Sequence, residues 1–323
     1  MRFLRSSWFP LLLGIIIAIV ILSEILASSP NTFFQSSYQT YNENELWQAP
    51  SEDEIPFDSN GDLIRYGKEL IANTSRYLGP KGLVAEVSNN MNCQNCHIAA
   101  GTQNFANPFS AVAATYPRYR DRSGRVESVE YRVNDCLQRS MNAGTLDSSS
   151  TEMRAMVAYL KWVGKNVTAG LKPKGAGTEA LPYLPRAADP QKGKMVYTTI
   201  CQRCHGSNGE GVLNADSTGY TYPPLWGEQS FNTGAGMYQL SRLAGFVKNN
   251  MPFGTTWQNP QVTNEQAWDV AAYVASQQRP QKRFMHDWPD IAKKPVDYPF
   301  GPYGDSFSEK QHKYGPFLPI TKR

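Results

Sequence analysis

Cys93-Gln94-Asn95-Cys96-His97 recurs 108 residues later as Cys201-Gln202-Arg203-Cys204-His205. In each copy two thiols separated by two residues can add to the two vinyl groups of one haem, and the adjacent histidine can reach the iron from the same short helix. The spacing specifies three bonds to one cofactor, so its recurrence predicts two covalently bound haem c groups with His97 and His205 as proximal ligands. A zinc site or a buried thiol pair is the competing reading of a single motif, and a second copy in the same frame argues against it. Cys136 makes the cysteine count odd, so neither a disulfide framework nor a thioredoxin-like redox pair accounts for the set.

The chain has 323 residues, 41% hydrophobic and 19% charged, a length that suits about two ordinary domains. Lys and Arg total 32 against 28 Asp and Glu, a net charge of +4, which gives no basic surface of the kind that binds nucleic acid. Arg2 and Arg5 precede Trp8 to Ala27, a 20-residue stretch whose only ionisable residue is Glu24, long enough for a helix to cross a bilayer. A cut after Ala27 would put Ile25 at the minus-three position, and a cut after Ser29 would leave Pro30 next. Residues 1–30 therefore read as an uncleaved signal anchor, with a cleaved leader and a buried helix as alternatives. Arginines before the segment hold that end in the cytoplasm, which places the rest on the periplasmic side of a bacterial inner membrane.

Beyond the anchor, the apolar pattern reads twice in the same way. Leu63, Ile64, Gly67, Leu70, Ile71, Thr74 and Leu78 recur at helical spacing, and Gly67 would let a second helix approach closely. A capping box at Ser149-x-x-Glu152 announces a closing helix with Met153, Met156, Val157, Leu160 and Val163 on one side, ended by Gly164. These elements define a first domain, 31–165. Residues 166–187 mix Gly, Pro, Lys and Ala without period and read as a linker. Asp189-Pro190 is an N-cap and first helical position, opening a second domain, 188–279, with Gly193, Val196, Tyr197 and Ile200 in its first stripe. Thr263-x-x-Gln266 caps a helix carrying Ala267, Val270, Ala271 and Val274. With no strand-like alternation of useful length, the expectation is an all-α tandem duplication. Residues 280–323 hold seven prolines and eight aromatics, too aromatic for a solvated disordered tail, and predict an extended segment packed over both domains.

Each iron needs a ligand opposite its histidine or an open site. In the second domain Met251-Pro252-Phe253-Gly254 follows a predicted helix ending at Asn249 and Asn250, which holds Met251 on a non-helical loop as the distal ligand; Met237 is the alternative, and core packing is the ordinary fate of either methionine. The first domain has instead Cys136, inside Val129 to Met141. If that run is helical, Arg132, Arg139 and Ser140 lie at i−4, i+3 and i+4 from the sulfur, on one face. A buried inert thiol is the competing reading, with Met141 as rival ligand. Arg118 to Arg139 contains six arginines diluted by Asp121, Glu127, Glu130 and Asp135, a pattern that a solvated charged face would also produce.

Over residues 60–278 each repeat resembles a class I cytochrome c domain: an opening helix with a glycine on its apolar face, CxxCH, a distal ligand, and a closing helix carrying Tyr159 and Trp162 or Trp268 and Tyr273. The pair resembles the dihaem thiosulfate dehydrogenases, in which a cysteine follows the first CxxCH by some forty residues and ligates the first haem; here Cys136 follows Cys93 by 43. The run Arg132-Val-Asn-Asp-Cys-Leu-Gln-Arg-Ser-Met-Asn142 carries most of the likeness. The tail around Gln311-His312-Lys313-Tyr314-Gly315-Pro316-Phe317 is also similar to tails in some members. The resemblance implies active-site roles for Arg122, Arg132 and Ser140 beside Cys136. Asn250 stands where some members carry a lysine that exchanges with the methionine, and the anchor departs from the many members that are soluble.

The resemblance further implies that two thiosulfate ions are joined to tetrathionate, or the reverse, at a His/Cys haem, with electrons leaving through a His/Met haem to another cytochrome or a terminal oxidase. Two charges of minus two held ~4 Å apart repel by about 4 kcal/mol even at the dielectric of water, and about fourfold more at an effective value of 20, so cations at the site are required. Thiolate ligation lowers an iron potential and thioether ligation raises it, which sets the direction of flow. Cys136 leaving the iron to carry a sulfur adduct would split the coupling into two steps. The opposing expectation is a membrane-tethered dihaem electron carrier without substrate chemistry.

Overall fold

The computed structural model describes residues 45–322. The expected membrane segment lies outside them, and among the described residues no helix is long and apolar enough to cross a membrane.

The first half opens with α1, Ser59–Ala72, capped by the Asp58 carboxylate, which accepts from the Gly61 amide. A short hairpin follows the first CxxCH, with β1, Arg118–Arg120, antiparallel to β2, Arg125–Glu127. It leads into α2, Val129–Ser140, and then α3, Thr151–Val163. The second half repeats the plan with α4, Pro190–Val196, and a second hairpin of β3, Val212–Leu213, and β4, Tyr220–Tyr222. Next come α5, Leu240–Asn250, and α6, Asn264–Ser276. The fold is helix-rich, as expected, and adds two short hairpins that the all-α reading did not include. Their strands are two or three residues long, too short to show a period of two in sequence.

The duplication is visible in how the helices cross. A Cβ added to Gly67 of α1 would sit 2.0 Å from the Ala155 carbonyl oxygen of α3, and one added to Gly193 of α4 would sit 1.9 Å from that of Asp269 in α6. Only glycine permits either approach. Around the first crossing Leu70, Met153, Met156 and Val163 are buried, and around the second Ala267, Trp268, Ala271 and Leu240. The α6 capping box forms as read, with both Thr263 and Gln266 bonds present. The α3 cap lies one residue later than expected: Ser150, not Ser149, accepts from the Met153 amide, and the Glu152 carboxylate receives the Tyr66 hydroxyl at 3.1 Å.

The two halves are joined by side-chain amides. Gln103 donates to the Asn250 carbonyl oxygen at 2.8 Å, Asn250 donates to the Phe105 carbonyl at 3.1 Å, and Asn232 donates to Gln138 and Asn142 at 2.8 Å each. The tail adds two short helices, α7, Glu309–Tyr314, and α8, Leu318–Thr321, in a stretch whose prolines exclude a long helix. Phe317 and Ile320 bury in the second core, whereas Phe284 and Asp287 reach α2 of the first half.

Candidate functional site

His97 and His205 are held alike. Each Nδ1 lies against a backbone carbonyl, that of Asn107 at 2.5 Å and of Pro223 at 2.8 Å. A carbonyl can only accept, so Nδ1 carries the proton and Nε2 keeps its lone pair for a metal. Burial pulls the His97 imidazole down to about 4 and lowers His205 as well, so both rings are neutral at physiological pH. Burial likewise pushes the Cys93 thiol up to about 11, Cys96 up to about 12 and Cys201 up to about 11.

Cys201, Cys204 and His205 line one side of a cavity of about 930 Å³, and Met237 and Met251 line it too, between walls that include Leu225, Phe231, Phe246 and Val270. That volume falls in the usual range for cofactor pockets. Thr255 Oγ1, on the lining, is buried without a partner among the described residues. Arg279, 4% exposed, lies 4.3 Å over the Phe231 ring, and its Nε and Nη1 are likewise unpartnered. Burial draws its guanidinium down to about 10. An unpaired buried cation is costly, and a haem carboxylate would satisfy these donors. The residues fit haem c. The Met237 sulfur already receives the Asn107 amide at 3.6 Å, while Met251 sits at the non-helical C-cap of α5. Cys96, Gln94 and Ile98 of the first half reach the same cavity, so the two CxxCH motifs adjoin.

In the first half α2 carries Cys136 toward the first motif: its sulfur acts electrostatically on both Cys93 and Cys96, and on Arg132. Cys136, ahead of Asp135, raises the pKa of Arg132 against the effect of burial, and Arg132 in turn acts on His97. Met141 is 3% exposed in a small apolar cluster with Met91, Leu137 and Ala143. Ser140 ends α2, one turn beyond Cys136.

Of the two guanidiniums expected beside the sulfur, Arg132 acts on Cys136 but Arg139 is committed elsewhere. Arg139 is 5% exposed and donates through both Nη atoms to Asp287 at 2.7 Å, with its guanidinium 3.5 Å over the Phe284 ring. It clamps the tail. The second guanidinium of the site is Arg122, brought from the hairpin, where the Trp288 amide of the tail donates to its carbonyl at 2.7 Å. Between them stands a residue that the sequence reading missed. Asp135, 6% exposed, accepts from Arg122, Arg132 and Arg139 together. Burial alone would raise its pKa, but the three guanidiniums hold it below the usual carboxylate range. Its signal was local: Arg132, Asp135 and Arg139 stand at i, i+3 and i+7, the spacing of helical ion pairs. Three guanidiniums against Asp135 and Asp287 leave one net positive charge beside Cys136.

The SoxA/TsdA cytochrome c domain family matches residues 84–168, and the Cytochrome c family matches 190–278. A thiosulfate dehydrogenase of Psychrobacter arcticus is 35% identical over 246 residues, 75% of this chain and 72% of its own. The chain belongs to the thiosulfate dehydrogenase family. A second family member, from Allochromatium vinosum, is 36% identical over 230 residues, 70% of this chain and 82% of its own. A solved thiosulfate dehydrogenase (TsdBA) from Marichromatium purpuratum superposes with a TM-score of 0.68 at 29% identity, covering 80% of this chain. This chain spans 53% of that larger protein. The two domain matches give the chain two tandem cytochrome c domains, and its family makes it a haem c oxidoreductase.

Proposed function

We propose that the protein oxidises two thiosulfate ions to tetrathionate, and runs the reverse reaction at the same site, using two covalently attached haems. Cys93, Cys96, His97 and Cys136 would hold the first, and Cys201, Cys204, His205 and Met251 would hold the second. Bound there, the groups supply two one-electron acceptors, matching the two electrons released when two dianions join through sulfur. What supports the reading is that α2 carries Cys136, one turn from Arg132, near enough to the first motif to raise the pKa of both Cys93 and Cys96.

The chain's own residues do the rest. Arg122 and Arg132, fixed by the shared Asp135 carboxylate, offer preorganised positive charge to anions that would otherwise repel each other. Arg132 keeps 31% of its side chain exposed, which leaves donors for substrate oxygens, whereas Arg122 keeps 11%. Ser140 supplies a hydroxyl on the same helix. Asn107, through the bond to Nδ1, keeps His97 oriented with Nε2 free. The partners in this reading are thiosulfate or tetrathionate, then another cytochrome or a terminal oxidase. The N-terminal segment would tether the haem domains on the periplasmic face of the inner membrane.

The test is to add thiosulfate anaerobically to the oxidised holoprotein. Reduction of the haem absorption bands with formation of tetrathionate is expected. Bands unchanged by thiosulfate, in a protein that still exchanges electrons with a cytochrome, would leave it an electron carrier.

A further inference from the structure

His312 of α7 is 2% exposed, in a stretch where a basic side chain could as easily stay in water. Its Nδ1 lies 2.7 Å from the Val296 carbonyl oxygen and its Nε2 lies 3.0 Å from Asp305 Oδ1. A carbonyl can only accept, so Nδ1 carries a hydrogen. Asp305 Oδ1 also accepts from the Phe307 amide at 2.9 Å, which marks it as the acceptor and Nε2 as a second donor. Neutral imidazole has a single N–H, so the two contacts together require the imidazolium. The Tyr303 ring lies flat on it, with centroids 3.6 Å apart and planes 9° from parallel, and an aromatic face favours a cation.

The clasp closes the tail on itself between 296 and 312, and the closed loop leans on the site. Tyr303 donates its hydroxyl to the Tyr298 carbonyl at 3.1 Å, and Tyr298 donates to Asp287 Oδ2 at 3.4 Å and meets the Trp288 ring edge-on at 5.6 Å. Asp287 holds both Nη atoms of Arg139, and the Trp288 amide holds the Arg122 carbonyl. A run of contacts thus leads from the clasp to two of the three guanidiniums on Asp135. The other charges nearby are engaged elsewhere. Lys294 donates to the Phe300 and Pro302 carbonyls at 3.2 and 2.7 Å and stands 5.4 Å from the Tyr303 ring. Lys313 turns to the Tyr238 and Tyr314 rings, and Asp297 accepts from Gln239 and the Ser241 amide. Glu309 and Lys310 are exposed on α7 itself, Glu309 acting on Tyr303. The linker packed on α7 offers Ala187 and Ala188, which carry no charge, and Arg186 before them is paired with Asp269. Asp305 is the counter-charge at bonding distance.

We propose that His312 and Asp305 form a proton-operated latch on the tail, closed by the imidazolium, which makes His312 a positioning residue for the network of Arg139, Asp135 and Arg122. When the proton leaves, Nε2 presents a lone pair to a carboxylate and the closure is lost, so the latch holds in acid and loosens as pH rises. Free imidazole gives up its proton near ~6.5, and pH ~5 to ~9 spans that loss. The latch is independent of which substrate the site takes.

Hydrogen–deuterium exchange of the oxidised holoprotein, corrected for the intrinsic dependence on pH, is followed from pH ~5 to ~9 in wild type, His312→Gln and Asp305→Asn. Wild type should lose about tenfold in protection over residues 296–314 as pH rises, with 284–288 following and α6 unchanged. His312→Gln should have the lowered protection at every pH and show no step. Asp305→Asn should move the step to lower pH, because the imidazolium loses its counter-charge, a shift that a merely structural contact would not produce. Wild type without a step, or a step that persists in His312→Gln, would overturn the latch. A step over 296–314 that leaves 284–288 unchanged would overturn its reach to Arg139. The Asp305 side chain is 15% exposed, so its variant reports even if His312→Gln misfolds.

Discussion

Replacing Asp135 by asparagine keeps the shape of the side chain and removes the one charge that three guanidiniums share. Asp135 is 6% exposed, and its partners Arg122 and Arg139 have side chains 11% and 6% exposed, so water cannot replace the lost carboxylate. Removing one member of a buried ionic group costs about 3–5 kcal/mol, against a total of about 5–15 kcal/mol for an ordinary domain. At about 2–4 °C per kcal/mol, the holoprotein should melt roughly 6–20 °C lower at neutral pH, as read by far-ultraviolet circular dichroism. The pH dependence carries a sign. The three guanidiniums hold the folded Asp135 below the usual carboxylate range, so its contribution is complete above the unfolded value and is lost as pH falls through the lower folded one. The gap between wild type and Asp135→Asn should therefore hold steady through the neutral range and close only on the acid side. Equal melting at neutral pH, or a gap that closes between pH ~5 and ~8, would refute the hub.

Two further substitutions test other links. Gly67→Ala would drive a methyl to within 2.0 Å of the Ala155 carbonyl, and should cost about 3 kcal/mol or more by forcing α1 and α3 apart, seen as a lowered melting temperature. Met251→Ala should lower the second haem's potential and slow electron delivery to acceptors while leaving the KM for thiosulfate unchanged, and an unaltered spectrum and potential would return Met251 to core packing.

Much of this was legible in sequence wherever the cause is local. Glycine at a helix crossing, the Thr263 capping box, the Asp189-Pro190 helix start and the end of α5 at Asn250 each depend on a few neighbouring residues, and the structure has them where the pattern puts them. The cap at Ser150 rather than Ser149 reflects two adjacent serines of equal capping ability. Arg139 looked like a site residue because helical spacing places it near Cys136, but its partner Asp287 lies 148 residues away. No local pattern announces such a pairing. Asp135 was counted among the acids diluting an arginine-rich stretch, since its third partner, Arg122, arrives from a hairpin too short to read.

Cys136 decides between catalyst and carrier, and the most direct measurement is thiosulfate turnover by Cys136→Met, with tetrathionate quantified against electrons delivered to an acceptor. A thioether is comparable in reach and softness, so the domain should fold and keep its haem at a raised potential. It can present no thiolate. Wild type should yield one tetrathionate for every two electrons, and the variant should lose several orders of magnitude in rate, at least ~4 kcal/mol of transition-state stabilisation. A Cys136→Met protein that turns over thiosulfate at the wild-type rate would contradict the account.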